Sequence, residues 1–238
     1  LSNEDFAAAK QHLQEIIEAT SRIYGQQSLP YHETELLAAN FYLSYTSQFA
    51  KADSLMRHGL AFMVGRVASQ QVQYRQWMFQ QAEYAEVAGQ YTEAQSILQN
   101  TYQQTVKSLG PHHIQSAVCL EKLADLNLTM GNFKEANIQI DQLNLVMEQA
   151  KGQKAYAAEQ AKALETSARY YAYMGLYETA KLTLAKSERL FSRSVSPSAN
   201  SSGVEELIDL YLNTDQFRQA ALLIDEVRLT RNLRYGKD

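Results

Sequence analysis

The single cysteine in 238 residues, Cys119, excludes an intrachain disulfide. It stands in the apolar run Ala117-Val118-Cys119-Leu120 and reads as a buried, inert thiol rather than a reactive one. So sparing a use of cysteine fits a cytoplasmic protein. With 3 prolines and 10 glycines, the chain has neither the breakers of a many-turned β fold nor the composition of a disordered one. Long Val/Ile/Thr alternations are missing, so almost no sheet is expected. No apolar run approaches the ~20 residues of a membrane span, so membrane insertion is not expected, and neither is a secretory leader. Basic residues, 22 against 26 acidic for a net charge of -4, fall short of the footprint that counterion release needs, which argues against nucleic acid as a partner.

Catalytic patterns are equally scarce. There is no glycine-rich phosphate loop, His-x-x-x-His or Ser-His-Asp arrangement. His112 and His113 are neighbours, and adjacent residues on a helix point in different directions, which makes them a poor metal pair. His12, His32 and His58 look scattered, and Glu205-Glu206 has no evident acid–base partner. No catalytic residue, metal or cofactor is therefore expected, and the chain does not read as an enzyme.

What the chain does have is 45% hydrophobic residues and an abundance of Ala, Leu, Gln and Glu, all good helix formers. It also has a repeat. A small or turn residue, any residue, an aromatic, two free positions and then alanine recur as Gly89-Gln90-Tyr91-Thr92-Glu93-Ala94, Gly131-Asn132-Phe133-Lys134-Glu135-Ala136 and Gly175-Leu176-Tyr177-Glu178-Thr179-Ala180. Weaker copies begin at Ser47 and Asp215, so the copies are 42, 42, 44 and 40 residues apart. Glycine ends a helix because it reaches the left-handed conformation at low cost. The aromatic plugs the hairpin corner, and the alanine sits where two helices approach too closely for a larger side chain. Seven residues before each turn stand Asn40, Ala82, Ala124 and Ala168, with Ile208 breaking the pattern in the fifth copy. Leu109-Gly110-Pro111-His112-His113 separates one hairpin from the next. Pro111 costs little at or just before a first helical turn, where its missing N–H has no helical partner.

These features predict an all-α chain: a lone helix over 3–24, then helix pairs near 30–66, 70–109, 112–151, 154–194 and 202–235, about 11 helices in one domain. Residues 194–203 read as a loop, polar and rich in breakers. Beginning on half a hairpin implies a piece of a longer array, and Leu13, Ile16, Ile17 and Ile23 imply that the first helix packs onto something.

The signature resembles the tetratricopeptide repeat, whose usual period is ~34. The longer period and the Leu-Gly-Pro-x-His junction are similar to the kinesin-light-chain type, best over Leu109 to Met147. The resemblance implies an α-solenoid of stacked antiparallel hairpins, a right-handed superhelix whose first helices line an inner groove. It also implies a scaffold or adaptor that binds a peptide or protein segment there. On that pattern the groove comprises Leu37, Phe41, Tyr45, Phe79, Glu83, Glu121, Lys122, Asp125, Glu165, Arg169, Glu205 and Asp209. The apolar early positions and acidic later ones imply a partner with an apolar anchor and basic residues beyond it. Those acids would repel a partner's terminal carboxylate, so a chaperone-tail clamp is not expected. Two other roles fit the same architecture: a peptide-responsive regulator, and a structural segment packed against its own parent chain or a second copy.

Overall fold

The structure is a computed structural model. It describes residues 3–46, 48–63, 66, 72–150, 153–191, 208–209, 211–212, 216–222 and 224–225. They fall into two compact units, Leu1–Leu109 and Gly110–Asp238. The first holds α1 (Asn3–Tyr24), α2 (Leu29–Tyr45), α3 (Phe49–Met63), α4 (Val72–Val87) and α5 (Tyr91–Leu109). The second holds α6 (Ile114–Thr129), α7 (Phe133–Gln149), a 3-10 turn at Lys154–Tyr156, α8 (Ala157–Tyr173) and α9 (Tyr177–Phe191). The described elements are thus all helical, nine α-helices and one 3-10 turn against the roughly eleven helices expected. None is long and apolar enough to cross a membrane.

Local chemistry sets the boundaries. Gly89, Gly131 and Gly175 take φ of 75°, 74° and 74°, in the left-handed region that other residues enter only at a cost. At Gly131 the following amide, Asn132 N–H, donates to Asn127 O at 2.8 Å while Gly131 N–H donates to Leu128 O at 3.1 Å, the paired closure of a Schellman end. Gln90 N–H to Ala85 O and Leu176 N–H to Tyr171 O repeat it at 2.7 and 2.8 Å. The copy at Ser47 ends differently. Thr46 donates its hydroxyl to Tyr42 O at 2.7 Å and accepts from Gln48 N–H at 3.0 Å, so a side chain replaces the glycine. Ser28 caps α2 ahead of Pro30, and His113 caps α6 by accepting from Gln115 N–H at 3.1 Å.

Helices pair within hairpins as α2 with α3, α4 with α5, α6 with α7 and α8 with α9, and the first helices of successive hairpins also touch, α2 with α4 and α6 with α8. The signature alanines Ala52, Ala94, Ala136, Ala180 and Ala220 are all buried. In unit 1, Leu36, Ala39, Met56, Leu60 and Met63 form one core with Tyr74, Trp77 and Met78 of α4. A second core joins Leu13 of α1 to Ala38, Tyr42 and Ala52, with Ile17 packed against it, which is what the first helix leans on. In unit 2, Ala168, Ala180 and Leu184 are buried together, and Cys119 is buried as expected of an inert thiol.

Candidate functional site

On unit 1, residues of α1, α2 and α4 surround an open cavity of about 510 Å³. Its wall includes Leu37, Phe41 and Tyr45, spaced four apart along α2, and Glu83 and Gln80 of α4. Residues four apart lie on one helical face, so the stripe follows directly from the order of the chain. Leu37 and Tyr45 are 55% and 60% exposed, large apolar side chains turned to solvent. Phe41 is half-buried, with its ring centroid 5.8 Å from that of Tyr45, and also packs on the α1–α2 core. Phe79 is half-buried and does not line this cavity, while Asn40 does. The α1 residues Ala9, His12, Leu13 and Ile16 complete the wall. Sequence pattern gave α1 a packing role only. Its contribution to the cavity needed the crossing of α1 over α2.

On unit 2, the polar positions of α6 and α8 largely engage one another. Arg169 pairs with Asp125, Lys122 lies 3.7 Å from Glu121, and Thr166 donates to Glu121 at 3.4 Å. Glu165 is buried and accepts from Ser187 of α9 at 3.2 Å. Burial holds the Glu121 carboxyl above its ordinary value of 4.5; Lys122 opposes the rise, Asp125 adds to it, and Lys162 and the Thr166 hydroxyl oppose it. Glu121 and Glu165 therefore do not present the solvated negative surface expected from their positions. Of the other acids, Asp209 is exposed and Glu205 lies outside the described residues, as do Glu206 and the 194–203 segment.

The raised carboxyl makes a pH prediction. A group whose folded-state pKa lies above its unfolded value keeps its proton better when folded. The contribution of Glu121 to stability is then fully present below 4.5 and is lost as pH climbs from there through the folded value. Glu121→Gln has no proton to lose and escapes that fall. Urea denaturation of both proteins should show the variant gaining on the wild type between acid and neutral pH. A difference that stays constant with pH would mean that the Glu121 carboxylate ionises without penalty.

The histidines correct the sequence reading. His32 and His58 are not scattered: both flank Glu35. His32 Nδ1 lies 2.7 Å from Glu35 Oε2, and His58 Nδ1 lies 2.8 Å from Glu35 Oε1. The Tyr31 hydroxyl also hydrogen-bonds Glu35; burial first, then the Glu35 charge and this bond, raise the Tyr31 pKa. His32 stacks on Phe62 with centroids 3.9 Å apart. Its Nε2 is buried without a hydrogen-bond partner among the described residues, so its polar contact runs through Nδ1. The spacing of His32 and Glu35, three apart on a helix, was a readable signal. Their meeting with His58, from the next helix, was not.

Residues 74–143 match the tetratricopeptide repeat family. Curated protein sequences contain no significant match. Among solved structures, BtubC (BKLC) from P. vanneervenii is similar at a TM-score of 0.65 and 15% identity, covering 100% of this chain and 94% of that one. Two Podosopora anserina structures described as putative kinesin light chain, of nearly identical TPR-like repeats, are similar at TM-scores of 0.61 and 0.58, the first of them a point variant. Both are 19% identical, cover 86% of this chain, and are themselves covered to 96% and 97%. Residues 74–143 thus carry the tetratricopeptide repeat, which generally mediates protein–protein interaction, and the chain is similar in fold to the kinesin-light-chain-like repeat structures.

Proposed function

We propose that this array of tetratricopeptide repeats is a non-catalytic adaptor whose unit 1 holds an apolar side chain of a partner peptide or protein segment. The observation that carries the reading is the open cavity walled by Leu37, Phe41 and Tyr45. Large apolar groups exposed side by side leave transfer free energy to be gained when a ligand covers them, at roughly 25 cal/mol per Å² of apolar surface removed from water. Aromatic and aliphatic anchors in such pockets usually dominate binding. Glu83, exposed on the same wall, favours a basic residue beside the anchor. The acids of α6 and α8 support this preference less, because Asp125 is paired with Arg169 and Glu121 and Glu165 are buried.

A displayed library of random peptides, panned on the purified chain, tests the reading. Selected peptides should share an apolar residue with a neighbouring Lys or Arg. Their affinity, read by fluorescence anisotropy, should fall at least about tenfold on Leu37→Asp, equivalent to about 1.4 kcal/mol. Leu37 is exposed, so this variant keeps the fold. Glu83→Lys should weaken the same peptides chiefly at low salt. Selection of no peptide, or of peptides that bind Leu37→Asp as tightly as the wild type, would overturn the proposal.

A further inference from the structure

The geometry points to a divalent-cation site in the α2–α3 hairpin, formed by His32, Glu35 and His58 and suited to zinc. His32 and Glu35 lie three residues apart and share a face in the first half of α2. His58 stands in the second half of α3, beside Gly59. A Cβ added at Gly59 would come within 3.0 Å of Leu36 Cδ2 and 3.2 Å of His32 O. The missing side chain thus lets the two helices close at this level and sets His58 over Glu35. One donor atom from each of the three residues falls within 4.8 Å of the others.

The environment favours a cation. Glu35 is only 4% exposed, and a buried carboxylate needs a compensating positive charge. Among the described residues its ion-pair partners are the two imidazoles, with no lysine or arginine among them. A metal ion held by all three side chains supplies that charge where no lysine or arginine among the described residues pairs with Glu35. The donor set also selects the metal. Two imidazole nitrogens and one carboxylate oxygen suit zinc and its borderline neighbours, whereas calcium and magnesium prefer oxygen alone. Zinc bonds of about 2.0–2.2 Å in a tetrahedron set donors roughly 3.3–3.5 Å apart. The His32–Glu35 and His58–Glu35 distances of 2.7 and 2.8 Å need an opening of less than about 1 Å to reach that spacing. The His58 side chain, 58% exposed, has room to make it. Bound there, the ion would pin the end of α3 to the start of α2.

Titration of the metal-free chain tests the site, with zinc followed by calorimetry and cobalt(II) by visible absorption. One equivalent should bind, cobalt should give the intense bands of a four-coordinate nitrogen–oxygen site, and zinc should raise the thermal midpoint. His58→Ala, at an exposed position that leaves the core intact, should weaken zinc at least about tenfold without change in helix content. Glu35→Gln should do the same. His112→Ala, at an exposed position, should leave binding unchanged. No binding by the wild type, unchanged binding by His58→Ala, or loss of binding by His112→Ala would each overturn the site. In those cases Glu35 serves only as a hydrogen-bonded clamp between two helices.

Discussion

Leu143→Ala is expected to destabilise the protein by about 2–5 kcal/mol, while Leu145→Ala, two residues along the same helix, costs less than about 0.5 kcal/mol. Both are leucines on α7, and hydropathy does not separate them. Position around the helix does. Ala136, Ile140, Leu143 and Met147 recur at the helical period and form the buried stripe, and Leu143 is 0% exposed whereas Leu145 is 56% exposed. Truncating Leu143 removes the transfer free energy of its methyl groups and leaves a void between α7 and the helices it packs on, α6 and α8. Truncating Leu145 opens no void, because water already covers it. Urea denaturation followed by circular dichroism should show the midpoint falling for Leu143→Ala at constant slope, and hardly moving for Leu145→Ala. Equal losses would mean that α7 is seated on a different face.

The contrast between those leucines marks how much of this protein can be read from its sequence. The turn glycines are legible because the requirement for positive φ is met by one residue, and the bonds from Asn132 to Asn127 and from Leu176 to Tyr171 are local consequences of it. The signature alanines are legible for a similar reason, since a small residue at a fixed offset from a tight turn marks a close helix approach. The Leu37-Phe41-Tyr45 stripe follows from spacing along one helix. The illegible features all join residues from different helices. Glu121 looks like a groove acid until Thr166, 45 positions on, covers it from α8. Glu165 is likewise closed off by Ser187 from α9. His58 gains its partner because Gly59 lets α3 close on α2, a use of glycine that carries no turn signature. Helical periodicity fixes which face a side chain occupies, but only the packing of helices decides whether that face meets water, a carboxylate or another helix.

Ala180→Leu is expected to destabilise unit 2 by about 1–3 kcal/mol through overpacking, and the loss should be coupled to Leu184. Ala180 of α9 is 0% exposed and shares one buried cluster with Ala168 of α8 and with Leu184. Ala168 is the small residue seven positions before Gly175, and Ala180 is the one five positions after it, so the two ends of the signature meet across the hairpin. A leucine at 180 has no room unless α8 and α9 separate or neighbouring side chains leave their rotamers, and both responses are costly in a close-packed interior. Making Leu184→Ala in the same molecule should relieve part of the strain. The double variant would then lose less than the sum of the two single losses, by about 0.5–3 kcal/mol. Leu182→Ala, at an exposed position between them, provides the control and should fall within about 0.5 kcal/mol of the wild type. Additive losses at 180 and 184 would show that the two side chains do not compete for one space. Coupled losses would identify Ala180 as the spacer that sets the separation of α8 and α9.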